Sequence, residues 1–117
     1  MPNLPDYYKE ERPWGSFERF TLNEPCTVKI ITVNPGQEFS LQSHAHRDEE
    51  WRILSGSGTV TVGEVASEAE AGGIFKVARG QRHRVKGGPG GVIFLEISFG
   101  QFNESDITRF ADDYGRA

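Results

Sequence analysis

The chain has three histidines, His44, His46 and His83. Two of them stand one residue apart in Leu41-Gln42-Ser43-His44-Ala45-His46, and Glu49 and Glu50 follow closely. In an extended strand alternate side chains share a face, so Gln42, His44 and His46 can point into one interior. His83 lies on a later segment and joins them only through the fold. Imidazole nitrogens with carboxylate and amide oxygens suit a divalent first-row metal. Two sets are open at this level: Gln42, His44, Glu49 and His83, or His44, His46, Glu50 and His83. A bare His-x-His is equally compatible with a chance surface pair.

The elements that would position these residues read as short strands. Thr27 to Val33 alternates and is rich in β-branched residues, and Pro35-Gly36 ends it with turn chemistry. Phe39 to Ser43, Trp51 to Leu54, Thr59 to Val62, Ile74 to Val77, His83 to Val85 and Val92 to Ser98 follow. Ser55-Gly56-Ser57-Gly58 and Gly87-Gly88-Pro89-Gly90-Gly91 read as turns between them. Many short strands at near-even spacing predict an all-β sandwich or small barrel. The C-terminus reads differently. Ile107, Phe110, Ala111 and Tyr114 fall on one helical face, with Asn103 or Ser105 as cap and Gly115 as stop. A short C-terminal helix packed on the barrel is therefore expected. No linker or repeat interrupts residues 1–117, which predicts a single domain.

Composition narrows the function. The 117 residues carry a net charge of −4 and a sequence pI near 5.4, unlike a basic nucleic-acid-binding face. No apolar run approaches the roughly 20 residues of a membrane span. Met1 to Tyr8 is polar and proline-broken, unlike a signal peptide, so a cytoplasmic address is expected. A single cysteine, Cys26, excludes an internal disulfide framework and a Cys-rich zinc site. Trp14 and Trp51 read as core or interface residues rather than substrate platforms.

The spacing resembles the two-motif signature of the cupin superfamily. Gly36, Gln42, His44, Glu49 and Gly56 fall at the intervals of the first motif, G-x5-H-x-H-x3,4-E-x6-G, over residues 36–56. Gly72, Ala78, Gly80 and His83 follow the second, G-x5-P-x-G-x2-H-x3-N, over 72–87. Gln42 stands in place of the first histidine, Ala78 of the proline and Gly87 of the asparagine. The set with His46 and Glu50 breaks the spacing to both flanking glycines, so the resemblance favours Gln42, His44, Glu49 and His83. It implies a jelly-roll barrel, the double-stranded β-helix, with residues 1–11 as an N-terminal arm.

The glutamine points further. Ser40-Leu41-Gln42-Ser43-His44-Ala45-His46-Arg47-Asp48-Glu49-Glu50-Trp51 resembles the LSLQxHxHRxEHW stretch of type II mannose-6-phosphate isomerases. Arg12-Pro13-Trp14-Gly15, Lys29 to Gly36, Gly80 to Arg84, Asp106 to Arg109 and Asp113 to Arg116 resemble the same family. That resemblance implies a metal-dependent isomerase that interconverts mannose 6-phosphate and fructose 6-phosphate through an enediolate. Gln42, His44, Glu49 and His83 would hold the metal. Zinc is the first candidate, and manganese, cobalt, nickel or iron also suit such ligands. Arg47, Arg84 and Lys29 are the cations available for the substrate phosphate, although on a strand Arg84 points opposite His83 and can instead face solvent. His46, Glu50 and Asp48 are the nearby acid–base candidates, although Glu50 stands where the family usually has histidine. A carboxylate beside a cation is a weakened base, which leans toward His46 or a bound water. A homodimer is implied, with a small-molecule sugar phosphate as ligand and neither nucleic acid nor membrane as partner. Many family members carry a nucleotidyltransferase domain ahead of this one. No glycine-rich nucleotide loop precedes Gln42, so guanylyltransferase activity is not expected. The other readings are a metal-containing cupin that binds a sugar or sugar phosphate without turnover, and an oxygenase, against which Gln42 argues.

Overall fold

The computed structural model describes residues 6–116, and they form nine strands. These are β1 (Tyr8–Arg12), β2 (Gly15–Arg19), β3 (Cys26–Val33), β4 (Leu41–Ser43), β5 (Arg47–Val62), β6 (Val65–Glu70), β7 (Ile74–Val77), β8 (His83–Gly100) and β9 (Thr108–Ala111). Residues 1–5 of the expected arm lie outside the described segment, and the rest of it leads into β1. β1 and β2 form a hairpin. Arg52 of β5 ties it to the barrel through paired bonds of 2.7 Å to both Glu18 oxygens. Trp14 sits exposed at the hairpin tip, whereas Trp51 is in the core.

All other strands pair antiparallel around β5 and β8. These two run 16 and 18 residues and change partners along their length. The first half of β5 lies between β7 and the second half of β8, which pairs with β3. The second half of β5 lies between β6 and the first half of β8, next to β4 and β9. Two bent strands thus belong to both layers of a rolled sheet. Val33, Trp51, Ile53, Val60, Val77, Val85, Val92 and Phe94 fill the space between the layers.

Two expectations are corrected. The glycine clusters at 55–58 and 87–91 are not turns between strands but the bends within β5 and β8. The backbones meet closely there: a Cβ on Gly56 would lie 2.1 Å from the Gly91 carbonyl oxygen, and one on Gly87 2.4 Å from that of Asn34. Glycine is thus required by close approach rather than by chain reversal. Second, the expected C-terminal helix does not form, and no helix occurs among the described residues, so none there is long and apolar enough to cross a membrane. Thr108–Ala111 is instead strand β9 on the edge of β4. Asn103 does cap a turn, accepting the Ser105 N–H at 2.9 Å. Beyond it, the Asp106 carboxylate accepts the N–H groups of Ala45 and His46 at 2.8 and 2.9 Å. These bonds pin the chain beside β4, whose open edge takes up the backbone groups of β9. Phe110 and Tyr114, on the expected buried face, are exposed.

Candidate metal centre and its cavity

Three separate pieces of chain converge at one end of the space between the layers. Along β5, Arg47, Glu49, Trp51 and Ile53 alternate inward, and Glu49 is 1% exposed. His83 opens β8, set by the Ala78–Gln81 turn, where the Gln81 N–H bonds the Ala78 carbonyl at 3.0 Å. His44 follows β4, and its carbonyl accepts the Gly80 N–H at 2.8 Å, which joins the two histidine segments directly. Glu49 lies between the rings. Its Oε2 is 3.7 Å from His44 Nε2 and its Oε1 3.8 Å from His83 Nε2. Among the described residues these three form the one cluster of His, Cys, Asp or Glu with mutually convergent donor atoms, within 4.8 Å of one another.

The polar partners orient the rings for ligation. His44 Nδ1 lies 2.7 Å from the Asp106 carbonyl and His83 Nδ1 3.0 Å from the Gln81 carbonyl. A carbonyl only accepts, so each Nδ1 carries the proton and each Nε2 keeps its lone pair. Burial lowers the pKa of both histidines, which keeps them neutral and ready to donate. His83 Nε2 is buried without a hydrogen-bond partner. A buried orphan nitrogen beside a buried carboxylate fits a cation, which would satisfy both. The Arg47 guanidinium lies against the same donors. Its Nε donates to Glu49 Oε2 at 2.9 Å, and its Nη2 lies 3.1 Å from His44 Nε2. The guanidinium also stacks over Phe102, 4.5 Å from the ring centre. Trp51 Nε1 donates to Glu49 Oε1 at 3.2 Å.

The cluster opens into a cavity of about 240 Å³. Gln42 lines it, directly opposite His83 in the β4–β8 pair, with its Oε1 accepting the Ser40 hydroxyl at 2.7 Å. Arg109 of β9 is opposite Gln42 on the other side, so Arg109, Gln42 and His83 form one row across three strands. Arg109 Nε is buried without a partner. Lys29 and Arg116 add cationic groups to the wall. Lys29 pairs with Glu104 at 2.7 Å. Glu96 lines the same cavity, and its carboxyl is pushed up to about 7, first by burial and then by the charge of Glu49. A larger open groove, about 590 Å³, borders on Ile31 and Phe39 but carries no histidine and one charged residue, Glu38.

The residues expected from sequence divide cleanly. His44, Glu49 and His83 meet, and Gln42, Arg47 and Lys29 line the same cavity. His46 is exposed outside it. Glu50 points to the other face of β5, into a small acidic recess with Asp48, Glu24 and Lys76. Arg84 likewise turns away from His83 and donates to the carbonyls of Phe39 and Ala111 at 2.9 and 3.0 Å. Glu96 is not singled out by sequence, and Arg109 and Arg116 stand only within the C-terminal stretches that resemble the family. A charged residue inside Val92 to Ser98, at the inward parity of Phe94, is the sequence signal that marks Glu96.

Residues 4–112 match the family described as "Mannose-6-phosphate isomerase C-terminal". The xanthan biosynthesis protein XanB of Xanthomonas campestris is 39% identical over 111 residues, covering 92% of this chain and 24% of that protein. A mannose-1-phosphate guanylyltransferase of Salmonella montevideo is 38% identical over 109 residues, covering 90% and 23%. The chain thus spans about a quarter of the length of the curated relatives it matches. Among solved structures, Bacillus subtilis oxalate decarboxylase superposes with a TM-score of 0.68 at 20% identity, over 74% of this chain and 24% of that one. A conserved Klebsiella pneumoniae protein with a double-stranded β-helix domain does so at 0.64 and 20%, over 97% and 90%. Likeness at that identity establishes the cupin fold alone.

Proposed function

The chain belongs to the mannose-6-phosphate isomerase C-terminal family, and on that premise we propose that it is a metal-dependent sugar-phosphate isomerase interconverting mannose 6-phosphate and fructose 6-phosphate. The observation that carries this reading is one cavity with two chemistries: neutral histidines and a carboxylate converging at its end, and lysine and arginine side chains along its wall. His44, Glu49 and His83 would hold the cation, with the Gln42 amide oxygen as fourth ligand. Zinc is the first candidate. A cation there would act as a Lewis acid toward the substrate oxygens on which negative charge develops.

The chain's own residues do the rest. Trp51 and Arg47 fix Glu49 by hydrogen bonds, while the backbone carbonyls of Gln81 and Asp106 fix the imidazoles. The substrate phosphate is held by cations on the cavity wall. Lys29 and Arg47 supply two, and Arg109 and Arg116 take the place that sequence gave to Arg84. Bidentate guanidinium contacts suit a phosphate and set the sugar's reach toward the metal end. His46 and Glu50 stand outside the cavity and have no part in this reading. Because Glu50 faces elsewhere, its departure from the family's histidine does not count against turnover. The same reading carries a homodimer, supported by exposed Val28 and Ile30 on the outer face of β3 and testable by light scattering.

The test is turnover of mannose 6-phosphate by chelator-stripped protein with each divalent metal restored. Metal-dependent formation of fructose 6-phosphate, abolished in His44→Ala, is the expected result. Folded, metal-loaded protein that binds the sugar phosphate without converting it would establish a binding module instead.

A further inference from the structure

The isomerisation needs a group that takes a proton from C2 and returns it to C1, and the ligands and cations described above leave none assigned. Glu49 and the two histidines are committed to the cation. Lys29, Arg47, Arg109 and Arg116 are positively charged and serve the phosphate. Two carboxylates remain on the cavity wall, Glu104 and Glu96. Glu104 is exposed and ion-paired to Lys29. Glu96 is only 6% exposed. Its hydrogen bond comes from the Ser98 hydroxyl at 3.3 Å, and it makes no ion pair among the described residues.

Its place in the sheet is well defined. Glu96 stands directly opposite Lys29 of β3 on one side and Trp51 of β5 on the other. Ser98, two residues along, is opposite Glu49. Paired residues in antiparallel strands share a face, so Glu96 lies one row from the metal-end carboxylate on the same wall. An acid so buried and so weakly partnered destabilises the fold, and such groups concentrate where chemistry needs them.

We propose that Glu96 is the acid–base residue of the isomerisation, transferring one proton between C2 and C1 of the bound sugar phosphate; this rests on the isomerase reading above. The carboxylate takes the C2 proton. The C2–H electron pair becomes the C1=C2 bond, and the carbonyl pair moves onto O1. The hydroxyl proton passes from O2 to O1. The O2 pair then forms the C2 carbonyl, and the C1=C2 pair takes the proton back from the Glu96 carboxylic acid at C1. Charge and protons balance without another reactant.

The experiment compares metal-loaded wild type with Glu96→Gln and Glu96→Asp in four readouts. These are bound metal per chain, affinity for a hexitol 6-phosphate that cannot isomerise, deuterium uptake from solvent into the sugar phosphate, and kcat against KM. For Glu96→Gln the expected result is a kcat loss of about 10²–10⁴-fold, the range for a lost general acid–base. Deuterium uptake falls with it, while KM, hexitol phosphate affinity and metal content stay within about twofold. Glu96→Asp recovers part of kcat. Retention of kcat within about threefold overturns the proposal. So does a loss of metal or hexitol phosphate affinity in step with activity, which would make Glu96 a ligand or a structural group. If wild type itself neither turns over nor exchanges with any metal, the isomerase reading fails first, and a defect confined to Glu96→Gln is not what is seen.

Discussion

The two ends of the space between the layers are built from the same two strands. Toward one end β5 and β8 present Ile53, Val60, Val85, Val92 and Phe94, all buried and all apolar. Toward the other they present Arg47, Glu49, His83, Glu96 and Ser98, equally buried and all polar. Strand geometry, alternation and exposure do not distinguish the two ends. What differs is what each end must do with buried polar groups. At the apolar end there are none to satisfy, and burial stabilises at roughly 25 cal/mol per Å². At the polar end each charge needs a partner. Glu49 has Arg47 and Trp51, His44 and His83 have backbone carbonyls, and the orphans left over, His83 Nε2 and Arg109 Nε, face the cavity. One end holds the fold together, and the other spends stability on a site.

That contrast can be broken from either side. The largest effect is expected for His83→Ala, which removes the unpartnered Nε2 beside Glu49. Bound metal should fall below stoichiometry, and turnover should drop by about 10³-fold or more, since the cation's electrostatic contribution amounts to several kcal/mol. Folding should survive, as read by circular dichroism and denaturant titration. The mirror substitution, Ile53→Ala at the apolar end, should cost about 2–5 kcal/mol in denaturant unfolding yet leave metal stoichiometry intact. If Ile53→Ala sheds the metal while still folded, the two ends are not separable.

A smaller effect concerns pH. In metal-free protein the folded-state pKa of Glu96 is raised to about 7 from its ordinary value near 4.5. The folded chain then holds a proton that the unfolded chain releases, so this group lowers stability as pH rises from about 4.5 through about 7. Glu96→Gln removes that slope. The metal-free variant should match its parent near pH 4 and exceed it at pH 8, by up to about 3 kcal/mol. The two histidines have the opposite slope, because burial lowers their pKa values and their contribution is lost as pH falls below about 6.5. They cancel when variant and parent are compared at each pH. An equal difference at pH 4 and pH 8 would contradict the assignment.

The smallest effect separates the cations. Arg109→Met should raise KM for the sugar phosphate about tenfold, the loss of roughly one charge-assisted hydrogen bond, with metal binding unchanged. Arg84→Met should leave KM alone and instead loosen the pairing of β9 with β4, because its guanidinium holds the Phe39 and Ala111 carbonyls. Reversed results would return the phosphate to Arg84.

Much of this was legible in the sequence. Alternation gave most of the strands, and the intervals between Gly36, Gln42, His44, Glu49 and His83 singled out the three residues that converge, His44, Glu49 and His83, together with Gln42 on the cavity wall. Spacing carries such information because a ligand set demands fixed residue types at fixed strand parity. The expected C-terminal helix is absent for a related reason. Ile107, Phe110, Ala111 and Tyr114 satisfy a helical period, but a period records only which residues can share a face. The open edge of β4 and the Asp106 bonds to Ala45 and His46 decided that no helix forms. Likewise the glycine clusters read as turns but lie at bends within β5 and β8, because the partner backbones they approach belong to segments distant in the chain. Residue order alone carried an all-β chain, the strand faces that turn Glu50 from Glu49 and Arg84 from His83, and the residue types that converge at His44, Glu49 and His83. Tertiary packing alone brought Arg109 and Glu96 to the same cavity wall and β9 to the edge of β4. Those relations depend on register between strands tens of residues apart, set by pairing and burial across the whole barrel.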